Sequence, residues 1–306
     1  MLLRILGALI LIIVLLVAVL AYLMQPPSLD DVRRAWMGED DRLVEIDGES
    51  WRVRESGPAN APAIVLIHGF SHSLEGFEAL AQRLDDNHRV IRFDLPGHAL
   101  TGPRADEAYT VPETVAQVSD LLDEIAPDRF AIGGNSLGGL IAWRYAARNP
   151  DRVSHLVLIS PGGYPNLGVG DEPAPVPAQI RLFLATAPEA GVRAATATLY
   201  ADPTRMTDAD VERIGALMRI EGVGDALIKR IEQFTLPDPN PDLRRIDAET
   251  LVIWGAADIM IPAEHGPRFA AAIPDAELLL LGDAGHMAQV EQPDQVAEAV
   301  RALLQN

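Results

Sequence analysis

The sequence predicts an α/β protein in which a mostly parallel β-sheet carries helices on both faces. Short apolar runs alternate with segments of helical periodicity, which is the pattern of parallel strands joined by helices. The alternation stops between residues 161 and 248, where helical patterns follow a loop rich in Gly and Pro. We therefore expect a core formed by residues 42–160 and 249–306, with residues 161–248 as a helical cap, or lid, over one edge of the sheet.

An apolar stretch precedes this core. Residues 5–24 carry no charge, and a helix of that length, at about 1.5 Å per residue, crosses the hydrocarbon core of a bilayer. A cleaved signal peptide is the alternative, but its apolar region is usually shorter. We predict a single-pass transmembrane anchor over residues 1–24 and a Pro-containing linker over residues 25–41. Large domains are translocated with little regard to charge, so we expect the remainder outside the cytoplasm.

Composition excludes several classes of function. The 306 residues include no cysteine, so a cysteine nucleophile and thiolate metal sites are impossible. The formal net charge of −19 argues against nucleic acid as a partner, because phosphate binding requires clustered Lys and Arg. Solubility is the simplest explanation of the acidity.

The elements of the core can be assigned in chain order. Residues 42–57 have apolar residues alternating on each side of Asp47-Gly48, which predicts a β-hairpin. Nearly continuous apolar runs indicate strands that are buried on both faces, and an apolar stripe indicates a helix. On this basis the further strands cover residues 63–70, 88–97, 129–134, 155–160, 250–255 and 276–282, and the helices cover residues 74–84, 112–126, 137–149 and 294–304.

Glycines surround a serine at one junction of strand and helix, in the sequence Gly134-Asn135-Ser136-Leu137-Gly138. Such a turn holds the serine in a strained backbone conformation with its hydroxyl clear of the sheet, and side chains at the flanking positions would collide. The N-terminus of the following helix directs amides and a partial positive charge at the same point. A pattern of five residues can arise by chance, but its place between a strand and a helix predicts that Ser136 is a nucleophile.

Chain order identifies partners for this serine. A serine hydroxyl needs a histidine base oriented by a carboxylate, and on a sheet of this kind the acid and then the histidine follow the serine. His286 lies in the loop after the last predicted strand, and Asp258 lies just beyond the strand before it. Asp283 is better explained as a loop-capping residue, and Asp94 precedes the serine. We predict a catalytic triad of Ser136, Asp258 and His286.

The remaining predicted site residues surround the serine. Two donors are needed for an oxyanion, and we expect the backbone N–H groups of Leu137 and of Phe70, in the loop after the first long parallel strand. Gly69 would let the backbone approach the substrate closely. The residues predicted to bind substrate are His68, Gly69, Asn135 and Met287, and the alternative for His68, as for His72, is a structural role in the loop.

Five motifs, in order, resemble those of the α/β-hydrolase fold superfamily. They are HGF at 68–70, DLPGH at 94–98, GNSLGG at 134–139, GAADIMIP at 255–262 and AGHMAQVEQP at 284–293. The resemblance implies a serine hydrolase that needs no metal or organic cofactor. The GNSxGG form is similar to bacterial lipases and esterases, and also to carbon–carbon bond hydrolases of aromatic degradation.

One departure helps to choose between these activities. The carbon–carbon hydrolases usually carry Trp directly after the catalytic histidine, where this chain has Met287. We therefore predict a membrane-anchored carboxylesterase or lipase-like enzyme that acts on a small-molecule or lipid ester. Carbon–carbon bond hydrolysis, cofactor-free perhydrolysis and a ligand-binding module on the same fold are the alternatives. The sequence does not predict an oligomeric state.

Overall fold

An eight-stranded β-sheet organises residues 25–305, the part of the chain that the computed structural model describes. The predicted anchor, residues 1–24, lies outside these residues. The strand order is β1-β2-β4-β3-β5-β6-β7-β8, in which β1, β2 and β4 pair antiparallel and all the other pairs are parallel. The strands are β1 (Asp41–Ile46), β2 (Glu49–Ser56), β3 (Ala63–Ile67), β4 (Arg89–Phe93), β5 (Phe130–Asn135), β6 (Val153–Ile159), β7 (Glu249–Gly255) and β8 (Ala276–Leu281). The prediction of a mostly parallel sheet is confirmed.

The first two strands form the predicted hairpin. Ile46 pairs with Glu49, so the loop consists of Asp47 and Gly48 alone. Both loop residues have positive φ, at 51° and 81°, as the two-residue turns that match the twist of a hairpin require.

Helices connect the parallel strands and cover both faces of the sheet. Along β3, Val65 and Ile67 belong to the apolar core on one face, and Ile64 and Leu66 belong to the core on the other. This double burial explains why the strand is apolar throughout. The helices are α1 (Leu29–Trp36), α2 (Glu78–Leu84), α3 (Val111–Ile125), α4 (Leu137–Arg148), α5 (Ala178–Thr186), α6 (Glu189–Ala197), α7 (Asp208–Met218), α8 (Val223–Gln233), α9 (Asn240–Leu243), α10 (His265–Ala272), α11 (Ala288–Glu291) and α12 (Pro293–Leu304), with short 3₁₀ turns at Leu74–Phe77 and Pro203–Arg205.

The segment between β6 and β7 is helical, as its sequence pattern indicates. It contains α5 to α9 and contributes no strand to the sheet. Many of its buried apolar residues, including Leu184, Val192, Leu217 and Leu227, belong to a separate core cluster, whereas others such as Leu243 belong to the core of the sheet. The cap therefore has packing of its own in addition to its contacts with the sheet domain.

Residues 25–41 differ from the expected linker, because helix α1 lies within them and docks on the domain. Ser28 caps this helix by accepting a hydrogen bond from the N–H of Asp31 at 3.2 Å. Val32 is buried in the core of the cap, and the guanidinium of Arg33 donates to the carbonyl of Leu100 at 2.8 Å. Pro26 and Pro27 precede the first residue of the helix, Leu29, so they do not interrupt it. Within residues 25–305, no helix has both the length and the apolar character needed to cross a bilayer.

Candidate active site

Ser136 occupies a strained turn between β5 and α4. Its φ of 56° and ψ of −116° lie outside the regions that a residue with a side chain normally adopts. A Cβ atom on Gly134 would lie 2.4 Å from the carbonyl carbon of Gly138, and one on Gly138 would lie 2.0 Å from the carbonyl oxygen of Ile67. Both glycines are therefore required by backbone contacts, as the sequence pattern predicts.

Two backbone segments meet beside this serine. Leu137 is the first residue of α4, so its N–H has no partner within the helix and is available to a ligand. On the opposite side, a Cβ atom on Gly69 would lie 3.3 Å from the Cβ of Ser136, which shows how closely the loop 68–70 approaches. Phe70 lines the cavity above the serine.

His286 and Asp258 form a buried hydrogen-bonded pair. The Nδ1 of His286 lies 2.8 Å from Oδ2 of Asp258. The other carboxylate oxygen accepts hydrogen bonds from the N–H groups of Met260, at 2.8 Å, and Ile261, at 3.0 Å. Burial opposes ionisation of Asp258, but the hydrogen bond from His286 and the backbone donors outweigh it and hold its pKa below the usual value. The ionised carboxylate therefore accepts a hydrogen bond from Nδ1, so Nε2 is the ring nitrogen that can act as a base.

Asn135 holds the loop after β8 that carries His286, which we call the histidine loop. Its side-chain Nδ2 donates to the carbonyl of His286 at 2.9 Å and to the carbonyl of Ile159 at 3.1 Å. The side chain thus ties the loop that carries His286 to the strand end beside Ser136. Asn135 also lines the cavity, so it fits the predicted substrate contact, but the sequence did not indicate its link to the histidine loop.

Two cavities open from the serine. The first, of about 280 Å³, is lined by Gly69, Asn135 and Met287, three of the four residues predicted to bind substrate. The second has a volume of about 420 Å³ and extends beside Leu137. The residues that line both cavities are Phe70, Ser136, Ile180, Ile231, Met260 and His286.

His68, the fourth residue predicted to bind substrate, lies behind the loop and lines neither cavity. Its Nε2 accepts a hydrogen bond from the N–H of Leu95 at 2.9 Å, so the proton is on Nδ1, which donates to the carbonyl of Gly69 at 2.7 Å. Burial lowers the pKa of His68 to about 3, and the ring is neutral. The position therefore corrects the expectation of a substrate contact: His68 holds the Gly69–Phe70 peptide.

His72 is a second histidine at the wall of the first cavity. Its Nδ1 lies 3.1 Å from the carbonyl of Phe70, and burial lowers its pKa to about 4. Among residues 25–305, no group of three or more His, Asp or Glu side chains is arranged to hold a metal ion.

Comparison with known proteins identifies the family. Residues 62–293 match the model of the alpha/beta hydrolase fold family. The chain belongs to the α/β-hydrolase fold family, and it is a hydrolase.

Several relatives share most of the chain. It is 31% identical over 274 residues to the dihydrolipoyllysine-residue acetyltransferase component of an acetoin cleaving system from Pseudomonas putida, covering 87% of this chain and 70% of the relative. It is 30% identical over 248 residues to a 2-hydroxy-6-oxononadienedioate/2-hydroxy-6-oxononatrienedioate hydrolase from Cupriavidus pinatubonensis, covering 76% and 83%. The solved structure of a bacterial membrane phospholipase A superposes with a TM-score of 0.72 at 24% identity, covering 99% of this chain and 98% of the other. This last likeness is one of fold alone.

Proposed function

We propose that this protein is a serine hydrolase that cleaves uncharged, apolar carboxylic esters through an acyl-enzyme intermediate. The observation that carries the proposal is the hydrogen bond between His286 and Asp258, because it engages Nδ1 and leaves Nε2 to act as the base in the cavity that Ser136 also lines.

The proposed reaction has two halves. The Oγ of Ser136 attacks the ester carbonyl while Nε2 of His286 takes its proton, and Asp258 stabilises the imidazolium. The N–H groups of Phe70 and Leu137 donate to the oxyanion. His286 then protonates the departing alkoxide, and a water molecule that it deprotonates hydrolyses the acyl-serine.

The lining of the cavities favours an uncharged substrate. Arg230 is the only Lys or Arg among the described residues that line them, and it is 1% exposed. Its terminal nitrogens already donate to the carbonyls of Pro96 and Tyr109 and to the hydroxyl of Thr114. The relative from Cupriavidus pinatubonensis acts, by its name, on dicarboxylates, whereas Arg230, the only Lys or Arg that lines these cavities among the described residues, has both terminal nitrogens engaged by neutral acceptors of the protein. We therefore favour ester over carbon–carbon bond hydrolysis.

Apolar residues at the cavity mouth support a lipid-like substrate. Leu167 lines the second cavity and is 73% exposed, and Ile259, beside the cavity-lining Met260, is 72% exposed. The side chain of Asn166 donates to the carbonyl of Met260 at 2.8 Å, so the two exposed side chains belong to adjoining segments. In the proposal, the segment 1–24 anchors the catalytic domain to a bilayer, outside the cytoplasm, and places this rim near its substrate.

Substitution of the serine tests the proposed chemistry. We expect the wild-type protein to hydrolyse p-nitrophenyl butyrate and to be labelled by a fluorophosphonate, and Ser136→Ala to lose labelling and at least about 10⁴-fold in kcat. Ser154→Ala, at a half-buried serine on β6, is the control and should keep both properties. Undiminished turnover by Ser136→Ala would refute the proposal. Faster cleavage of a carboxylate-bearing ring-cleavage product than of any ester would favour carbon–carbon hydrolysis, and an unlabelled, inactive wild type would indicate a binding module.

Membrane attachment needs its own experiment. We expect the full chain to remain in the membrane fraction after an alkaline carbonate wash and a variant without residues 1–24 to appear in the soluble fraction. Protease accessibility in intact cells then reports the side on which the domain lies.

A further inference from the structure

Two separate apolar cavities meet at the serine, and this arrangement restricts the shape of the substrate. We call the cavity of about 280 Å³ the first chamber and the cavity of about 420 Å³ the second chamber. The first chamber is lined by cap residues on α6 and α7, including Val192, Ala195, Ile214 and Met218. The second chamber is lined by the loop after β6 and by residues after α8, including Tyr164, Val169, Phe234 and Leu236.

Resting on the proposed function, we propose that the substrate is an uncharged ester with two extended apolar arms, one held in each chamber. An ester carbonyl bears two substituents, the acyl chain and the alkoxy group, and both must leave the carbon that Ser136 attacks in different directions. The two chambers diverge from the residues that would hold that carbon, Phe70, Ser136 and His286. An ester with one short arm would leave one chamber unfilled.

Burial of the substrate's apolar arms in the two chambers should make kcat/KM depend on the length of each arm. Each methylene group removed from water contributes about 0.8 kcal/mol, or about a fourfold gain in kcat/KM while the chamber still has room. The gain should therefore be seen on lengthening the acyl chain and, separately, on lengthening the alcohol. The lengths at which the two gains stop should differ, because the chambers differ in volume.

Filling each chamber in turn tests the proposal. Ala195→Phe fills the first chamber and Val169→Phe the second, and both positions are partly or fully exposed, so the larger side chain can be accommodated. Ala194→Phe is the matched control, on the same helix as Ala195 but outside the chamber lining. The substrates are a series of methyl esters of lengthening acids and a series of acetates of lengthening alcohols.

We expect each filling variant to lose roughly tenfold or more in kcat/KM on the long members of one series only, with the two variants affecting opposite series. Turnover of methyl acetate should stay within about twofold of the wild type in all three variants. Loss on the same series in both variants, or on neither, would overturn the two-chamber proposal while leaving the ester hydrolase intact. Absence of all ester turnover in the wild type would instead count against the proposed function.

A second, independent observation concerns the contact between the cap and the histidine loop. The N–H of Met287 donates to the carbonyl of Leu199, in the cap, at 3.2 Å. A Cβ atom on Gly285 would lie 2.7 Å from the backbone nitrogen of Ala201. The cap segment 199–202 therefore rests directly on the backbone that carries His286.

The carboxylate of Glu291 joins these two segments. Glu291 is 3% exposed, and its Oε2 accepts from the N–H of Gly285 at 2.6 Å while its Oε1 accepts from the N–H of Asp202 at 3.1 Å. We infer that Glu291 is a positioning residue that aligns His286 with the cap, so that the base and the first chamber are assembled together. The geometry of His286, rather than substrate affinity, should then depend on this carboxylate.

Two substitutions on opposite sides of this contact test the inference. Glu291→Gln replaces one acceptor oxygen with a donor that faces a backbone N–H, and Gly285→Ala separates the cap from the loop by steric overlap. Each should lower kcat on a short ester by roughly ten- to a hundredfold with KM little changed, because a displacement of the base by a fraction of an ångström is sufficient. Gly282→Ala, in the same loop but with open space around it, is the control and should leave kcat unchanged.

The measurements are made well below the unfolding temperature of each variant, which is determined first. A merely structural role predicts a lower unfolding temperature with wild-type kcat for the folded enzyme. That result for Glu291→Gln and Gly285→Ala would overturn the inference.

Discussion

The imidazole of His286 and the carboxylate of Asp258 are joined by a hydrogen bond of 2.8 Å, although 28 residues separate them in the chain. Their elements converge because β7 and β8 are adjacent parallel strands whose following loops leave the same edge of the sheet. Asp258 cannot turn away from the ring, since its other oxygen is held by two backbone N–H groups. The arrangement fixes both the orientation and the tautomer of His286.

Asp258→Asn should preserve the shape of the site but reverse this tautomer. An amide can present N–H to Nδ1, which moves the ring proton to Nε2 and leaves no base for Ser136. We expect kcat on p-nitrophenyl butyrate to fall on the order of 10⁴-fold, with an unchanged circular dichroism spectrum. Asp283→Asn, at an exposed aspartate three residues before the histidine, is the matched control. A comparable loss of kcat in the two variants would show that Asp258 is not specifically the acid of the triad.

His68→Phe should impair the oxyanion site without removing any group from the cavity. Because a peptide is planar and trans, the Nδ1–H of His68 that holds the carbonyl of Gly69 also sets the direction of the N–H of Phe70. Loss of this constraint should reduce kcat by roughly 10²-fold with KM nearly constant. The variant also leaves the N–H of Leu95 unpaired, which costs about 1–3 kcal/mol of stability, so kcat is compared at a temperature where the variant is folded. A wild-type kcat there would show that Phe70 does not depend on His68.

The sequence could predict those parts of the site that depend on local backbone geometry. The collision that a Cβ atom on Gly134 or Gly138 would cause is a property of one turn, so the spacing of the glycines reveals it. The hairpin at Asp47 and Gly48 is likewise local. Chain order adds His286 and Asp258, because parallel strands end at a common edge.

The sequence could not predict contacts that depend on how distant segments pack. The role of Asn135 requires that the carbonyl of His286 lie above it, and the role of His68 requires the N–H of Leu95 behind it. Neither partner leaves a pattern at the residue itself. Helix α1 was missed for a related reason: Pro26 and Pro27 suggested a linker, whereas the contacts that dock the helix come from residues 50 to 101 and from the cap.

Arg52→Met should destabilise the sheet domain strongly. Arg52 is buried and donates to Asp41 at 2.8 Å, to Glu75 at 2.5 Å and to Asp94 at 3.2 Å. Arg54 still pairs with Asp41 and Glu75, but removal of Arg52 leaves the buried Asp94 without a cation, which costs about 3–5 kcal/mol in comparable sites. Urea denaturation measures the free energy of unfolding.

The matched control is Arg42→Met, in the neighbouring strand. Arg42 pairs with Glu55 at 2.6 Å, but its side chain is 48% exposed, and solvent screening reduces such a pair to about 0–1 kcal/mol. Equal losses of unfolding free energy in the two variants would show that the buried ion pairs of Arg52 contribute no more to stability than the exposed pair of Arg42.

Buried histidines should make the protein less stable as the pH falls below about 6.5. Burial lowers the pKa of His98 well below its usual value, and the nearby charge of Arg230 lowers it further, against a hydrogen bond to the carbonyl of Pro96 that raises it. In the unfolded chain the imidazole regains a pKa of about 6.5, so between that pH and the lowered value the unfolded state binds more protons and stability rises with pH. Each such proton contributes about 1.4 kcal/mol per pH unit. We expect His98→Gln to reduce the slope of unfolding free energy between pH 6 and pH 5, by up to about that amount. An identical slope in the wild type and the variant would mean that His98 is protonated in the folded protein.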